Sequence, residues 1–134
     1  MSSLIAVDDN KIDLLITNYN LQKYSRFDEV SYYNGGLPFM DYIKLHVDEK
    51  DNLPDAVFLD LSMPQFDGWD VLNALKAIYP TLAKKIKVYI VPSSISPVDI
   101  LRSKGYEFVR QLYQNHLPKR MCLNFLFKTA AVIR

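Results

Sequence analysis

Three aspartates that directly follow apolar runs are the side chains best suited to chemistry. Asp8 and Asp9 come after Leu4–Val7, and Asp60 comes after Ala56–Leu59. Short, unbroken apolar runs are typical of strands in a parallel sheet that is covered on both faces. Ligands in open α/β sheets bind outside the carboxyl ends of the strands. We therefore expect these carboxylates to meet at that edge of a sheet.

Such a cluster of carboxylates indicates a bound cation. Neighbouring carboxylates repel one another unless a cation or hydrogen-bond donors offset their charge. Mg²⁺ is a hard ion that takes oxygen ligands and is commonly held by one or two carboxylates and several waters. A competing interpretation is that Asp8 or Asp9 only caps the following helix, because aspartate is favoured at helix N-termini. Asp60, which ends a separate apolar run, favours the metal site.

Alternating strands and helices are expected to position these residues. The predicted strands are Leu4–Val7, Glu29–Tyr33, Ala56–Leu59, Ile86–Val91 and Phe108–Tyr113. Glu29–Tyr33 mixes polar and apolar residues and is expected near an edge of the sheet. The alternation predicts a parallel sheet with right-handed crossovers, as a three-layer α/β sandwich.

The predicted helices follow capping and turn residues. Asn10 is expected to cap a helix over 11–24, in which Ile12, Leu15, Ile16 and Tyr19 have the spacing of one helix face. The other helices are expected after Gly35-Gly36, after Asp67-Gly68 as far as Pro80, from Ser96-Pro97 to Gly105, and from Pro118 onward. All four glycines are assigned to turns.

Length and composition limit the classes of function. At roughly 100–200 residues per domain, the 134 residues predict a single domain over 1–134 without an output domain. A net charge of +1 lacks the basic excess of nucleic-acid binders. One cysteine excludes an internal disulfide. Because early acidic residues exclude a signal peptide and no apolar stretch reaches about 20 residues, we expect a cytoplasmic protein without a membrane partner.

Two segments carry a resemblance to a known family. Ala56–Trp69, AVFLDLSMPQFDGW, resembles the phosphoacceptor segment of two-component response-regulator receiver domains, with Met-Pro and Asp-Gly at the family's offsets from Asp60. Val7–Asn10 is similar to the acidic pair that closes the family's first strand. The resemblance covers nearly the whole chain. It implies a flavodoxin-like (βα)5 fold with a five-stranded parallel sheet in the order 2-1-3-4-5.

The resemblance also implies a function in phosphorelay signal transduction. Asp60 would take a phosphoryl group from a histidine kinase or phosphotransfer protein, and the phosphoprotein would signal by protein contact. Mg²⁺ would be bound by Asp9, Asp60 and the backbone carbonyl of Ser62, with Asp8 acting through water. Phosphoryl transfer depends mainly on positioning and charge neutralisation, so a weak carboxylate nucleophile suffices. No Gly-rich loop indicates a nucleotide or flavin cofactor.

The chain departs from the family at its switch positions. Receivers end the fourth strand with a threonine or serine, where this chain has Pro92 and then Ser93. Proline has neither a hydroxyl nor a backbone N–H, and Ser93 fits either a shifted switch role or an ordinary turn. Asn115 replaces the family's lysine and Leu112 its aromatic switch residue. Weak coupling of phosphorylation to a switch is expected, and a phosphorylation-independent protein-binding module, a pseudo-receiver, remains the alternative.

Two further expectations concern catalysis and assembly. Ser62 stands where related aspartyl-phosphate phosphatases carry a second aspartate, so no enzyme activity beyond self-phosphorylation is expected. Apolar residues surround nearly the whole predicted helix from Pro118 to Arg134, more than one core face requires. In receivers the surface of helix 4, strand 5 and helix 5 binds partners, which favours a homodimer there. The alternative is that the end of this helix frays or packs only in a crystal, because scattered exposed apolar residues are common.

Overall fold

The computed structural model describes residues 2–24, 27–91 and 96–112. Within them the chain alternates between strands and helices and forms one five-stranded parallel sheet in the order β2-β1-β3-β4-β5. The elements are β1 (Ser3–Val7), α1 (Lys11–Tyr24), β2 (Glu29–Tyr33), α2 (Gly36–Leu45), β3 (Ala56–Leu59), α3 (Gly68–Ile78), a 3₁₀ turn (Tyr79–Thr81), β4 (Lys87–Ile90), α4 (Pro97–Ser103) and β5 (Val109–Leu112). This order confirms the predicted fold class.

The predicted strand bounds hold to within one residue. β2 and β3 have the predicted bounds, and β2 lies at the edge of the sheet as expected. β4 is shorter than predicted because Ile86 and Val91 lie outside the strand, although both are buried. An apolar run thus marks the buried segment of the chain, and this segment is longer than the part that forms the hydrogen bonds of the strand. The predicted helix from Pro118, which is one part of the surface expected to form a dimer, lies outside the described residues.

Strand register brings the ends of three strands together. Val7 pairs with Tyr33 on one side and with Leu59 on the other. The next residues continue this ladder, because Asp8 N donates to Tyr33 O at 3.1 Å and Asp60 N donates to Val7 O at 3.0 Å. The carboxyl edge of the sheet therefore starts with Asp8 and Asp60 side by side.

Alternate residues of the central strands are buried on opposite faces of the sheet. One face contacts the buried sides of α2 and α3, and its strand residues are Ile5, Val7, Val57, Leu59, Val88 and Ile90. The other face carries Leu4, Ala6, Ala56, Phe58, Tyr89 and Val91. Burial on both faces explains why β3 is apolar at every position and why β1 and β4 are apolar after their first residues, Ser3 and Lys87.

The helix predicted over 11–24 is confirmed, but three residues of its predicted apolar face are exposed. Ile12 and Leu15 are each 67% exposed and Tyr19 is 62% exposed. The sequence of α1 has apolar residues on several sides of the helix, so spacing alone does not identify the side that packs against the sheet. No helix within the described ranges has both the length and the apolar character needed to cross a membrane.

Candidate functional site

Asp8, Asp9 and Asp60 form a compact acidic cluster at the carboxyl edge of the sheet. One carboxylate oxygen from each residue lies within 4.8 Å of the corresponding oxygens of the others. Asp8 and Asp60 are each only 5% exposed, and Asp9 is half-buried. The strand ladder fixes the backbone of the two buried residues, so the acidic side chains are held together by the sheet.

Helix capping does not account for the acidic pair after β1. Asn10 caps α1, because its Oδ1 accepts from Ile12 N at 2.9 Å and from Asp13 N at 3.1 Å. Asp8 instead accepts from Asn10 N at 3.0 Å and so supports the turn that leads into the helix. The competing interpretation of the pair as helix caps is therefore wrong, and the N-cap expected at Asn10 is confirmed.

The loop after β3 is tightly folded beside Asp60. Ser62 N donates to Asp60 Oδ1 at 3.3 Å, which keeps the Ser62 backbone next to the carboxylate. Further along, Gln65 has a positive φ of 66° and Phe66 N donates to Pro64 O at 2.7 Å. This is a γ-turn, a strained conformation for a residue other than glycine. The loop is thus turned sharply between the acidic cluster and α3.

Gly68 allows the first turn of α3 to contact the backbone of Asp60 and Leu61. A β-carbon at this position would lie 2.6 Å from the carbonyl oxygen of Asp60 and 2.6 Å from the Leu61 Cα. Gly68 N also donates to Leu61 O at 3.0 Å. The prediction that this glycine serves a turn leaves out its close approach to the neighbouring backbone. Because no glycine in the described part of the chain has a positive φ, Gly68 is needed here for space.

Contacts from α3 to α4 and the segment after it begin next to Gly68. The guanidinium of Arg102 lies over the Trp69 ring at 4.3 Å from its centroid. Lower on α3, Lys76 Nζ donates to Gly105 O at 3.2 Å, and the hydroxyl of Tyr106 donates to Asn73 Oδ1 at 2.6 Å. Sequence reasoning missed these contacts. The signal available was a tryptophan inside the phosphoacceptor-like segment, but its partner is distant in sequence.

Of the switch positions, the structure describes Leu112. It lies at the end of β5, is half-buried and pairs with Ile90 of β4. Pro92, Ser93 and Asn115 lie outside the described residues.

The acidic cluster has the donor chemistry of a divalent-metal site. Its ligand atoms are hard carboxylate oxygens, two of the three residues are buried, and the oxygens are close enough to contact one ion. Bringing negative charges together in a buried place is unfavourable without positive charge or donated hydrogen bonds. The residues present therefore fit a divalent cation.

Comparison with known proteins finds similarity to a regulatory protein. No protein-family model matches the sequence. The probable methanogenesis regulatory protein FilR2 from Methanothrix harundinacea (strain 6Ac) is 25% identical over 114 residues, which cover 85% of this chain and 66% of the relative. The chain thus spans less than two thirds of the length of this relative.

Solved structures match nearly the whole chain. The phosphorylated cyanobacterial phytochrome response regulator RcpA superposes with a TM-score of 0.76 at 28% identity, covering 96% of this chain and 90% of that one. The Mn²⁺-bound form of response regulator Rcp1 superposes with a TM-score of 0.76 at 22% identity, covering 98% and 93%. With its strand order and acidic edge, the chain resembles the receiver domains of two-component response regulators and has their flavodoxin-like fold.

Proposed function

We propose that this chain is a phosphoacceptor receiver in which Asp60 takes a phosphoryl group in a reaction that depends on Mg²⁺. The observation that carries the proposal is the meeting of Asp8, Asp9 and Asp60 within 4.8 Å at the carboxyl edge of the sheet. Similarity to a phosphorylated response regulator and to a Mn²⁺-bound one supports it.

The metal would be held by side chains and one backbone group of this edge. Asp9, Asp60 and the backbone carbonyl of Ser62 would be its ligands, and Asp8 would act through water. The hydrogen bond from Ser62 N to Asp60 Oδ1 keeps the Ser62 backbone beside the cluster. When bound, Mg²⁺ would supply positive charge against the acceptor and the phosphoryl oxygens.

Asp60 would act as the nucleophile. One of its carboxylate oxygens attacks the phosphorus of a phosphohistidine, and the new O–P bond forms as the N–P bond breaks. The bonding electron pair stays on the ring nitrogen, and the ring leaves as a neutral imidazole because its other nitrogen carries a proton in the phosphohistidine that reacts. The backbone bond from Asp60 N to Val7 O, at 3.0 Å, holds the nucleophile in place. Positioning of this kind provides much of the acceleration in phosphoryl transfer.

The proposed donor is a histidine kinase or phosphotransfer protein, and the proposed output is contact with another protein in the cytoplasm. We do not expect turnover beyond self-phosphorylation, since Ser62 offers no carboxyl group as a general acid. A second candidate follows from Pro92 and Asn115, which lack the hydroxyl and the ammonium group of a receiver switch. In that case the chain is a pseudo-receiver that binds its partner with or without phosphorylation.

Incubation with acetyl phosphate, with and without Mg²⁺, distinguishes these candidates. Intact-mass spectrometry should detect one added phosphoryl group in the wild type with Mg²⁺ and none in Asp60→Asn. Asp41→Asn removes an exposed carboxylate on α2 and is the matched control, which should be modified like the wild type. A folded wild type that gains no phosphoryl group would favour the pseudo-receiver.

A further inference from the structure

A cavity lies at the opposite end of the sheet from Asp60. It is open to solvent, has a volume of about 200 Å³ and is lined by Tyr79, Lys85, Ile86, Lys87, Glu107, Phe108 and Arg110. Lys87 is the first residue of β4. The first residue of β5 is Val109, which lies between the lining residues Phe108 and Arg110. Because the strands are parallel, their amino ends share one edge, and the acidic cluster lies at the other.

An aromatic pair forms a fixed wall of this cavity. The rings of Tyr79 and Phe108 stack with centroids 4.8 Å apart and planes inclined by 15°. The Tyr79 hydroxyl donates to Ile86 O at 2.8 Å and accepts from Ile86 N at 2.9 Å. These bonds hold the backbone between Lys85 and Lys87, so the wall is ordered before any ligand binds.

The lining carries more positive than negative charge. Lys85, Lys87 and Arg110 line the cavity together with a single acidic residue, Glu107. The neighbouring Lys84 is neutralised, because its Nζ lies 3.1 Å from Asp55 Oδ1. Within the described ranges, the salt bridges join Lys84 to Asp55 and His46 to Glu49. The three cationic residues of the cavity form no salt bridge with any described residue. The cavity therefore has an excess of cationic donors over anionic partners.

A break in strand pairing determines the position of Arg110. Val88 pairs with Val109, whereas the next residue, Tyr89, pairs with Gln111, so Arg110 is the extra residue of a β-bulge. In a regular strand Val109 and Leu112 would point to opposite faces, yet both pack against the same core cluster. Bulges occur next to functional sites, where they redirect a side chain. Here the bulge places Arg110 in the cavity lining.

We propose that this cavity binds a small multivalent anion of the phosphate class, with Lys85, Lys87 and Arg110 as its hydrogen-bond donors. Arginine matches phosphate oxygens with two parallel hydrogen bonds, and lysine adds a compact charge. The volume of about 200 Å³ is below the roughly 300–1,000 Å³ of pockets for drug-sized ligands. A pyrophosphate or a small phosphorylated compound therefore fits better than a complete nucleotide.

Isothermal titration calorimetry with inorganic pyrophosphate tests the proposal. The titration is run in EDTA at fixed ionic strength, where the metal-free acidic cluster repels the anion. We expect binding at one site per chain. Each lost charge-assisted hydrogen bond weakens affinity by about tenfold or more, so Lys87→Gln/Arg110→Gln should weaken it by about a hundredfold.

Matched variants separate a built site from general attraction. Lys44→Gln/Lys50→Gln changes the net charge equally at two exposed lysines outside the cavity and should leave the dissociation constant within about twofold. Lys85→Gln changes an exposed side chain and is a second cavity variant with little effect on folding. Equal weakening by the cavity and control pairs, or no pyrophosphate binding by the wild type, would overturn the proposal. Tighter binding of a polyglutamate peptide than of pyrophosphate would overturn the choice of ligand.

Discussion

Replacing Gly68 by alanine should destabilise the protein by crowding two backbone atoms. The new β-carbon would stand 2.6 Å from the Asp60 carbonyl oxygen and 2.6 Å from the Leu61 Cα, and each separation has to widen to 3.4 Å for an ordinary contact. Neither atom can turn away as a side chain would, so α3 and the loop after β3 must separate.

Crowding of this kind costs about 1–3 kcal/mol, and the better helix propensity of alanine offsets at most about 1 kcal/mol. We expect a net loss of about 1–2 kcal/mol, which lowers Tm by about 4–7 °C in a chain of this length. Urea titration measures the loss directly. Trp69 is the single tryptophan of the sequence and is only 9% exposed, so its fluorescence reports unfolding, with far-UV circular dichroism as a second probe.

Gly105→Ala is the matched control for Gly68→Ala. A β-carbon at Gly105 would meet its nearest atom, the Arg102 carbonyl oxygen, at 3.4 Å, which is an ordinary contact. Its free energy of unfolding should stay within about 0.5 kcal/mol of the wild type. If the two variants were equally stable, with unchanged urea dependence, the close packing of α3 against the backbone of Asp60 and Leu61 would be refuted.

The remaining predictions concern the metal, a half-buried hydroxyl and an ion pair. Mg²⁺ at ten times its dissociation constant should stabilise the wild type by about 1.4 kcal/mol in calorimetry and Asp60→Asn not at all; equal stabilisation would place the ion elsewhere. Tyr79→Phe should cost about 1–3 kcal/mol in urea, because both backbone groups of Ile86 lose their bonds to the hydroxyl. Burial raises the pKa of Tyr79 from 10.0, an increase that the Ile86 bond and the charge of Arg110 partly oppose. The stabilisation that the Tyr79 hydroxyl provides is therefore complete below pH 10 and is lost as the pH rises through the folded-state pKa. Tyr79→Phe should flatten the loss of stability at alkaline pH. Identical pH profiles of stability for the variant and the wild type would contradict this. Asp55→Ala should destabilise the protein more than Lys84→Ala, because Asp55 also accepts a hydrogen bond from a backbone N–H of β1 at 2.8 Å. If the two single variants of a double-mutant cycle lost the same free energy of unfolding, this prediction would be contradicted.

The sheet and its acidic edge could be predicted because they depend on local sequence. Unbroken apolar runs ending at Val7 and Leu59 marked buried parallel strands, and the acids that follow them had to lie at their carboxyl ends. Asn10 as a cap was likewise a local property of the chain. The exposure of Ile12, Leu15 and Tyr19 was not predictable, because the apolar residues of α1 are spread around the helix.

Features that depend on contacts between distant segments could not be predicted. The space constraint at Gly68 arises from the backbone of Asp60, and the partner of Trp69 is Arg102 on another helix. The extra residue in β5 is visible only from the pairing of Val109 and its neighbours with β4. In each case the sequence contains the residues, whereas the tertiary structure decides which of them meet.

The central claim is that Asp60 accepts the phosphoryl group, and mapping the modified residue tests it most directly. After treatment with acetyl phosphate and Mg²⁺, borohydride reduces an aspartyl phosphate to homoserine, which peptide mass spectrometry locates in the sequence. We predict homoserine at position 60 in the wild type, dependent on Mg²⁺, and unmodified Asp8 and Asp9. Modification of another aspartate, or none in folded protein with Mg²⁺ present, would contradict the claim.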